Sequence, residues 1–187
     1  MRIKKLFSWI LLCSIPTLTA AAQKQASSTN KSLSSLRARA GDGPWDLWKT
    51  EPLHRRLLAL LGKDEFEALR LNMDPAEPMA ISNGIMSSIG LREHMGTEEE
   101  GALIIDLDHD VLEVLILHDG KTVSAWAEHN QYIPLPAKLL EQIQQRWPQP
   151  ALKQALMKLQ QTSAKPPRSS SPQAPVPSTS SSSALGL

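Results

Sequence analysis

The sequence predicts an α+β fold: a single antiparallel sheet of about five strands, in meander order, covered by N-terminal and C-terminal helices. Three observations predict it. Apolar residues recur at helical spacing near both ends of a central region, in 53–61 and in 139–147. Between them lie short apolar, β-branched runs of strand length. Tight turn signals separate those runs, above all Asn83-Gly84, whose residues both accept positive φ.

Taken in order, the chain begins with "MRIKKLFSWILLCSIPTLTAAAQ". Arg2, Lys4 and Lys5 form a positive region, an apolar run extends from Leu6 to Leu18, and Ala20-Ala21-Ala22 offers a cleavage site. Residues 1–22 therefore read as a signal peptide. The apolar run is shorter than the ~20 residues that a membrane-spanning helix needs, so no stable membrane anchor is expected after cleavage. Cys13, the only cysteine, lies in this run with Leu12 before it, where a lipoprotein signal would carry a small residue. The mature chain then has no cysteine, and in an oxidising compartment its stability must come from packing. Removing residues 1–22 takes away three of 20 cations and none of 19 acids, so the formal charge falls from +1 to −2. That balance excludes the basic footprint of a nucleic-acid binder.

Residues 23–43, rich in Ser, Gln, Lys and Gly, read as a disordered linker. Residues 44–161 read as one α+β domain, and the Ser/Pro-rich 162–187 as a disordered tail. Pro172 and Pro175 make a P-x-x-P spacing that arises readily in such a tail.

Within the domain, "TEPLHRRLLALLG" (50–62) predicts a helix capped by Thr50, with Glu51 at the positive end of its dipole and Gly62 as its stop. A second helix comes next, with Asp64 and Glu67 spaced like a capping box and Phe66, Leu69 and Met73 as its apolar edge. Pro75 and Pro78 end the helical section. "MAISNGIMSSIG" (79–90) is a hairpin. "ALIIDL" (102–107), "VLEVLIL" (111–117) and "KTVSAWA" (121–127) are further strands, joined through Asp108-His109-Asp110 and His118-Asp119-Gly120. "LPAKLLEQIQQRW" (135–147) and "ALKQALMKLQQ" (151–161) are helices split by Pro148 and Pro150. An antiparallel sheet of this kind must bury one face, and the helices are its cover.

Few residues suggest chemistry. Asp106, Asp108 and Asp110 are spaced like the opening of a calcium loop, but Val111 and Leu117 stand where Gly and Glu are needed, so a polar hairpin turn is the better reading. His54, His118 and His129 show no zinc-ligand spacing, and neither a metal nor a cofactor is expected. No G-x-S-x-G, phosphate loop or H-E-x-x-H occurs. Ser87, Ser88, His94 and Asp106 would supply a hydrolase triad only on paper. Trp45 and Trp48 flank Asp46 and read as sealing the edge of the core, with sugar stacking as the alternative. There remains "GLREHMGTEEE" (90–100). Its glycines, Gly90 and Gly96, let the backbone turn sharply, and Arg92, Glu93 and His94 are polar. It is either a solvated connection or a functional loop held by a rigid sheet.

In this loop the sequence resembles the family of periplasmic inhibitors of vertebrate lysozyme. Those proteins carry an exposed C-x-x-H-x-C loop, then a small polar residue, acids and a strand. Here Leu91 and Gly96 take the cysteine positions and His94 the histidine position. Thr97-Glu98-Glu99-Glu100 and "GALIIDL" match the small polar residue, the acids and the strand. The likeness spans roughly 47–147 and is closest to a disulfide-free branch. It implies a target-binding loop of Gly90, Leu91, Arg92, Glu93, His94, Met95 and Gly96, with His94 set against the enzyme's catalytic carboxyls. Glu98, Glu99 and Glu100 become an electrostatic rim facing a basic partner. Two departures matter. No disulfide clamps the loop, so ordering it costs more on binding, and Glu93 brings like charge toward the enzyme's acids. A bacterial lytic transglycosylase, which also works through a carboxyl, is therefore an alternative target.

The resulting expectation is an exported, periplasmic or secreted, non-enzymatic inhibitor of a peptidoglycan-cleaving enzyme. Its partner is a protein, either a lysozyme or a lytic transglycosylase, and a homodimer is compatible with the resemblance. The alternative is a non-catalytic cell-envelope binding or assembly protein with an inert loop.

Overall fold

The structure, a computed structural model, describes residues 32–164. The expected signal peptide and most of the expected Ser/Pro tail lie outside the described residues. A 3-10 turn, Leu33–Arg39, leads into α1 (Pro44–Leu47) and α2 (Leu53–Leu71). The sheet comes next: β1 (Ala80–Ser82), β2 (Ile85–Leu91), β3 (Glu100–Asp106), β4 (Val111–His118) and β5 (Thr122–Ala127). A short 3-10 turn, Glu128–Asn130, then leads to α3 (Ala137–Arg146) and α4 (Gln149–Ser163). All neighbouring strands pair antiparallel in sequence order, which is the expected five-strand meander.

The helical break at Gly62 is present: φ is 77° there, so α2 is two helical segments set end to end. Its start differs from expectation. The cap position is Pro52, and the Thr50 hydroxyl donates instead to the Asp46 carbonyl at 3.2 Å. Glu67 pairs with Arg70 at 3.0 Å rather than reaching back to close a capping box. Asn83 and Gly84 both have positive φ, 50° and 78°, as the two-residue hairpin requires.

The sheet buries both faces, not one. Leu103, Ile105, Leu112, Val114 and Ile116 point toward α2 and the N-terminal turn, in a core with Leu53, Leu57, Phe66 and Leu69. Ala102, Ile104, Val111, Leu115 and Leu117 point the other way, against Ile133, Leu139, Ile143, Trp147 and Leu152. This is why β3 and β4 read as near-continuous apolar runs: a strand covered on both sides has no solvent face to keep polar. Each fully buried Leu or Ile contributes about 2 kcal/mol of transfer free energy. Two such layers are the packing on which a domain without cysteine relies.

The linker expectation needs correction over its second half. Leu33 and Leu36 are fully buried in the α2-side core, and Asp110 accepts hydrogen bonds from the Leu33 N–H at 2.7 Å and the Ser32 hydroxyl at 3.2 Å. The ordered domain thus begins before Pro44. At the other end α4 runs to Ser163, two residues past the expected boundary.

Candidate functional site

Residues 92–99 project from one end of the sheet, beyond the last β2–β3 pair, Leu91 with Glu100. The foot of this loop is stitched on three sides. The Arg92 N–H donates to the Glu99 carbonyl at 2.8 Å. The segment that leaves α2 runs alongside: the Leu91 N–H donates to Pro75 at 3.0 Å, and the Glu93 N–H to Asp74 at 3.0 Å. From the β4–β5 turn, the Gly120 N–H donates to the Glu98 carbonyl at 2.8 Å. Gly90 makes the close approach feasible. A Cβ there would stand 2.6 Å from the Met73 Cα, 2.7 Å from the Ala76 Cβ and 2.8 Å from the Pro75 carbonyl oxygen.

The tip is two successive turns, closed by Met95 N–H to Arg92 at 3.2 Å and Glu98 N–H to Met95 at 3.1 Å. His94 has φ 63° and Gly96 φ 55°. A left-handed histidine is uncommon, and here it sits where the chain reverses. Its side chain is 89% exposed, with Nε2 3.4 Å from Glu93 Oε1. At this exposure the pair adds little stability. Glu93, Met95 and Gly96 are exposed, Arg92 and Leu91 half-buried, and Gly90 buried within β2. The seven loop residues predicted from sequence therefore divide into a foot (Gly90–Arg92) and an outward tip (Glu93–Gly96).

The expected acidic rim does not hold for two of its three members. Glu98 is exposed. Glu99 is 8% exposed and faces α2, accepting from the Asn72 side-chain amide at 2.9 Å and the Asp119 N–H at 3.1 Å. Glu100 is fully buried on the opposite face. Arg146 reaches its two carboxylate oxygens at 3.1 and 3.0 Å, and the Trp147 indole N–H donates at 2.6 Å. The cause is strand alternation: β3 begins at Glu100, so neighbouring side chains go to opposite faces. Three consecutive glutamates look solvated in a sequence. The signal against that reading is a buried Asn and an Arg-Trp pair that need acceptors.

The other candidates are not brought together into a site. Asp106 lies opposite Ile85, at the far end of β3 from the His94 loop, and Ser88 Oγ donates to the Glu77 carbonyl at 2.5 Å. No hydrolase triad forms from these residues. Burial acts to raise the Asp106 carboxyl, but the His109 and Asp108 N–H groups and the His109 ring, 2.8 Å away, outweigh it and hold it below the usual carboxylate range. The Asp-rich turn is thus a self-bonded hairpin. His118 stands 3.9 Å from Glu65 and 4.0 Å from Glu99. Among the described residues no group of three or more His, Cys, Asp or Glu is arranged to hold a metal ion. Trp48 is buried against Phe66, whereas Trp45 is exposed beneath the Arg70 guanidinium at 4.7 Å. A shallow surface depression of about 660 Å³ over α3 and α4 is lined by residues such as Leu140, Leu156, Met157 and Gln160, with no acid or histidine among them.

Fold and loop define a class: a two-faced α+β domain that presents a rigidly rooted loop, with no hydrolase triad or metal-holding cluster among the described residues. The comparison with protein families makes the class specific. Residues 52–161 match the family model for the inhibitor of vertebrate lysozyme (Ivy), and the chain belongs to that family. It is a family of inhibitors, so the protein is not an enzyme, and its partner class is a lysozyme. No curated protein and no solved structure matches the chain significantly. The match starts after Leu33, Leu36, Leu47 and Trp48, which nonetheless close the α2-side core. No helix among the described residues is long and apolar enough to cross a membrane.

Proposed function

We propose that this protein, exported to the periplasm or secreted, inhibits a peptidoglycan-cleaving enzyme by inserting its His94 loop into the carboxylate-lined cleft. The observation that carries this reading is the exposed His94 imidazole, held at a left-handed bend of a loop whose foot is bonded across itself and to two other chain segments. Glycan cleavage by lysozyme needs one protonated and one ionised carboxyl. An imidazole placed between them donates to one and accepts from the other, and it occupies the space of the scissile bond. Glu93, beside His94, makes a cleft with a single catalytic carboxyl a better electrostatic match than one with two. On that ground a lytic transglycosylase is a target alongside lysozyme. A homodimer would leave this mechanism unchanged as long as the 93–98 tips stay free.

The test is His94→Ala against wild type in peptidoglycan-clearing assays with a vertebrate lysozyme and a panel of purified lytic transglycosylases. Loss of a central, enclosed anchor weakens inhibition by about 2–4 kcal/mol, roughly 30- to 1,000-fold. Unchanged inhibition by His94→Ala, with its melting temperature also unchanged, sinks the plug. Absence of any complex with transglycosylases at micromolar concentration removes them as targets.

A further inference from the structure

The neck of the His94 loop is closed without sulfur, and a single carboxylate joins the parts that close it. Glu99 is the last residue before β3. Its Oε2 accepts from the Asn72 amide at 2.9 Å, and its Oε1 accepts from the Asp119 N–H at 3.1 Å. Asn72 is fully buried at the C-terminal cap of α2, and its amide also reaches the carbonyls of Glu100 and Leu117 at 3.4 and 3.5 Å. Asp119 lies in the β4–β5 turn, and the next N–H, that of Gly120, donates to the Glu98 carbonyl at 2.8 Å. One carboxylate therefore ties the end of a helix and a distant turn to the C-terminal foot of the loop. No member of either apolar core cluster is needed for this tie.

We infer that Glu99 and Asn72 are positioning residues for inhibition: they fix the direction and stiffness of the 92–98 loop without touching the target. The inference rests on the reading of His94 as the plug. A loop that enters a cleft loses conformational freedom on binding, and one already ordered in the free protein loses less. Cutting the tie leaves the β2–β3 ladder and both cores in place, so the loosening stays local. The buried partner left behind lacks its hydrogen bond, which adds to the drive for the neck to open.

The experiment compares wild type with Glu99→Ala, Asn72→Ala, the double variant, His94→Ala and Arg56→Ala. Arg56 sits at the opposite end of β4 and serves as a control for general destabilisation. Amide hydrogen exchange is read over 93–98 and 119–121, and inhibition and dissociation rate are measured with a vertebrate lysozyme. Both single variants raise exchange in these two segments above the rest of the sheet. Both weaken inhibition roughly tenfold, chiefly through faster dissociation. The double variant is about as impaired as Glu99→Ala alone, because Asn72 acts on the C-terminal foot of the loop through the Glu99 carboxylate. Arg56→Ala lowers melting temperature with inhibition kept. The inference is overturned if exchange over 93–98 does not rise, or if it rises and inhibition stays at the wild-type level. If His94→Ala inhibits normally, the plug and with it the positioning role fall, while exchange still reports whether the clamp holds the loop. Should Glu99→Ala not fold, Glu99→Gln, which keeps the acceptor for the Asp119 N–H, is read by the same comparisons.

Discussion

Glu113 offers the sharpest energetic test of this fold. It points from β4 into the apolar layer under α3 and α4, opposite Ile104 on β3 and Ala127 on β5. It is fully buried, and only Oε2 has a partner, the Ile133 N–H at 2.8 Å, while Oε1 has none. Burial pushes the carboxyl up from 4.5 to about 7, and the Ile133 N–H only partly opposes this. At ~1.4 kcal/mol per pH unit, a rise of that size corresponds to about 3 kcal/mol. The sign comes from proton counting. Between pH 4.5 and about 7 the folded state holds the proton more tightly than the unfolded chain, so stability falls as pH rises through this window. Above it both states are ionised and the full cost remains. Glu113→Gln keeps the acceptor for Ile133 and removes the charge. The variant is expected to match wild type below pH 4.5 and to exceed it by about 3 kcal/mol at pH 8. Urea unfolding of both proteins from pH 4 to 8.5 measures the difference directly, and contributions from other titrating groups cancel. A stability difference that stays constant across that range would refute the reasoning.

Three further outcomes rest on particular contacts. Gly90→Ala places a methyl within 2.8 Å of the Met73 and Pro75 backbone and the Ala76 side chain, so it lowers stability by about 2–4 kcal/mol and displaces the 73–76 segment; thermal melting measures the first effect and hydrogen exchange the second. Glu98→Lys slows association with a basic lysozyme, and salt erases the difference, whereas Glu100→Gln lowers melting temperature and leaves the association rate alone; stopped-flow kinetics at two ionic strengths separates them. Arg56 bonds Glu128 and the Asp110 side chain and carbonyl, and these carboxylates, Glu128 foremost, hold its guanidinium more basic than usual. Arg56→Ala leaves Glu128 almost buried without its cation and costs about 2 kcal/mol in denaturant unfolding.

Much of the fold was legible because it is written locally. The strands announce themselves through β-branched runs, the first hairpin through Asn83-Gly84, and the break in α2 through Gly62, each a matter of neighbours along the chain. The features that were missed are settled by distant partners. "LSSLRAR" looks like a linker because two leucines cannot fold seven residues. They become core only when the β3–β4 turn and α2 offer a surface, with Asp110 receiving the Leu33 N–H from 77 positions away. Glu99 and Glu100 look like a solvated run because their partners lie 27 positions back at Asn72 and 46–47 positions ahead at Arg146 and Trp147. One buried face is what the sequence leads one to expect of the sheet, and the near-continuous hydrophobicity of β3 and β4 is the signal of two-sided burial that this expectation passes over.

The same non-local contacts explain how a loop of this family can do without its disulfide. A disulfide between positions 91 and 96 would narrow the loop from within, across its own tip. Here the constraint is applied from outside and lower down. Asp74 and Pro75 hold one strand of the neck, Asn72 and the Asp119 N–H hold Glu99 on the other, and Gly90 lets the first of these pass at contact distance. Restraining the foot leaves the tip itself limited mainly by its two turns, so the stiffness of 93–96 depends on how firmly the neck is held. It also frees the device from redox chemistry. With Cys13 the only cysteine in the sequence, a reductant has no bond to break in the loop, and its geometry depends instead on hydrogen bonds to the 72–75 segment and the β4–β5 turn.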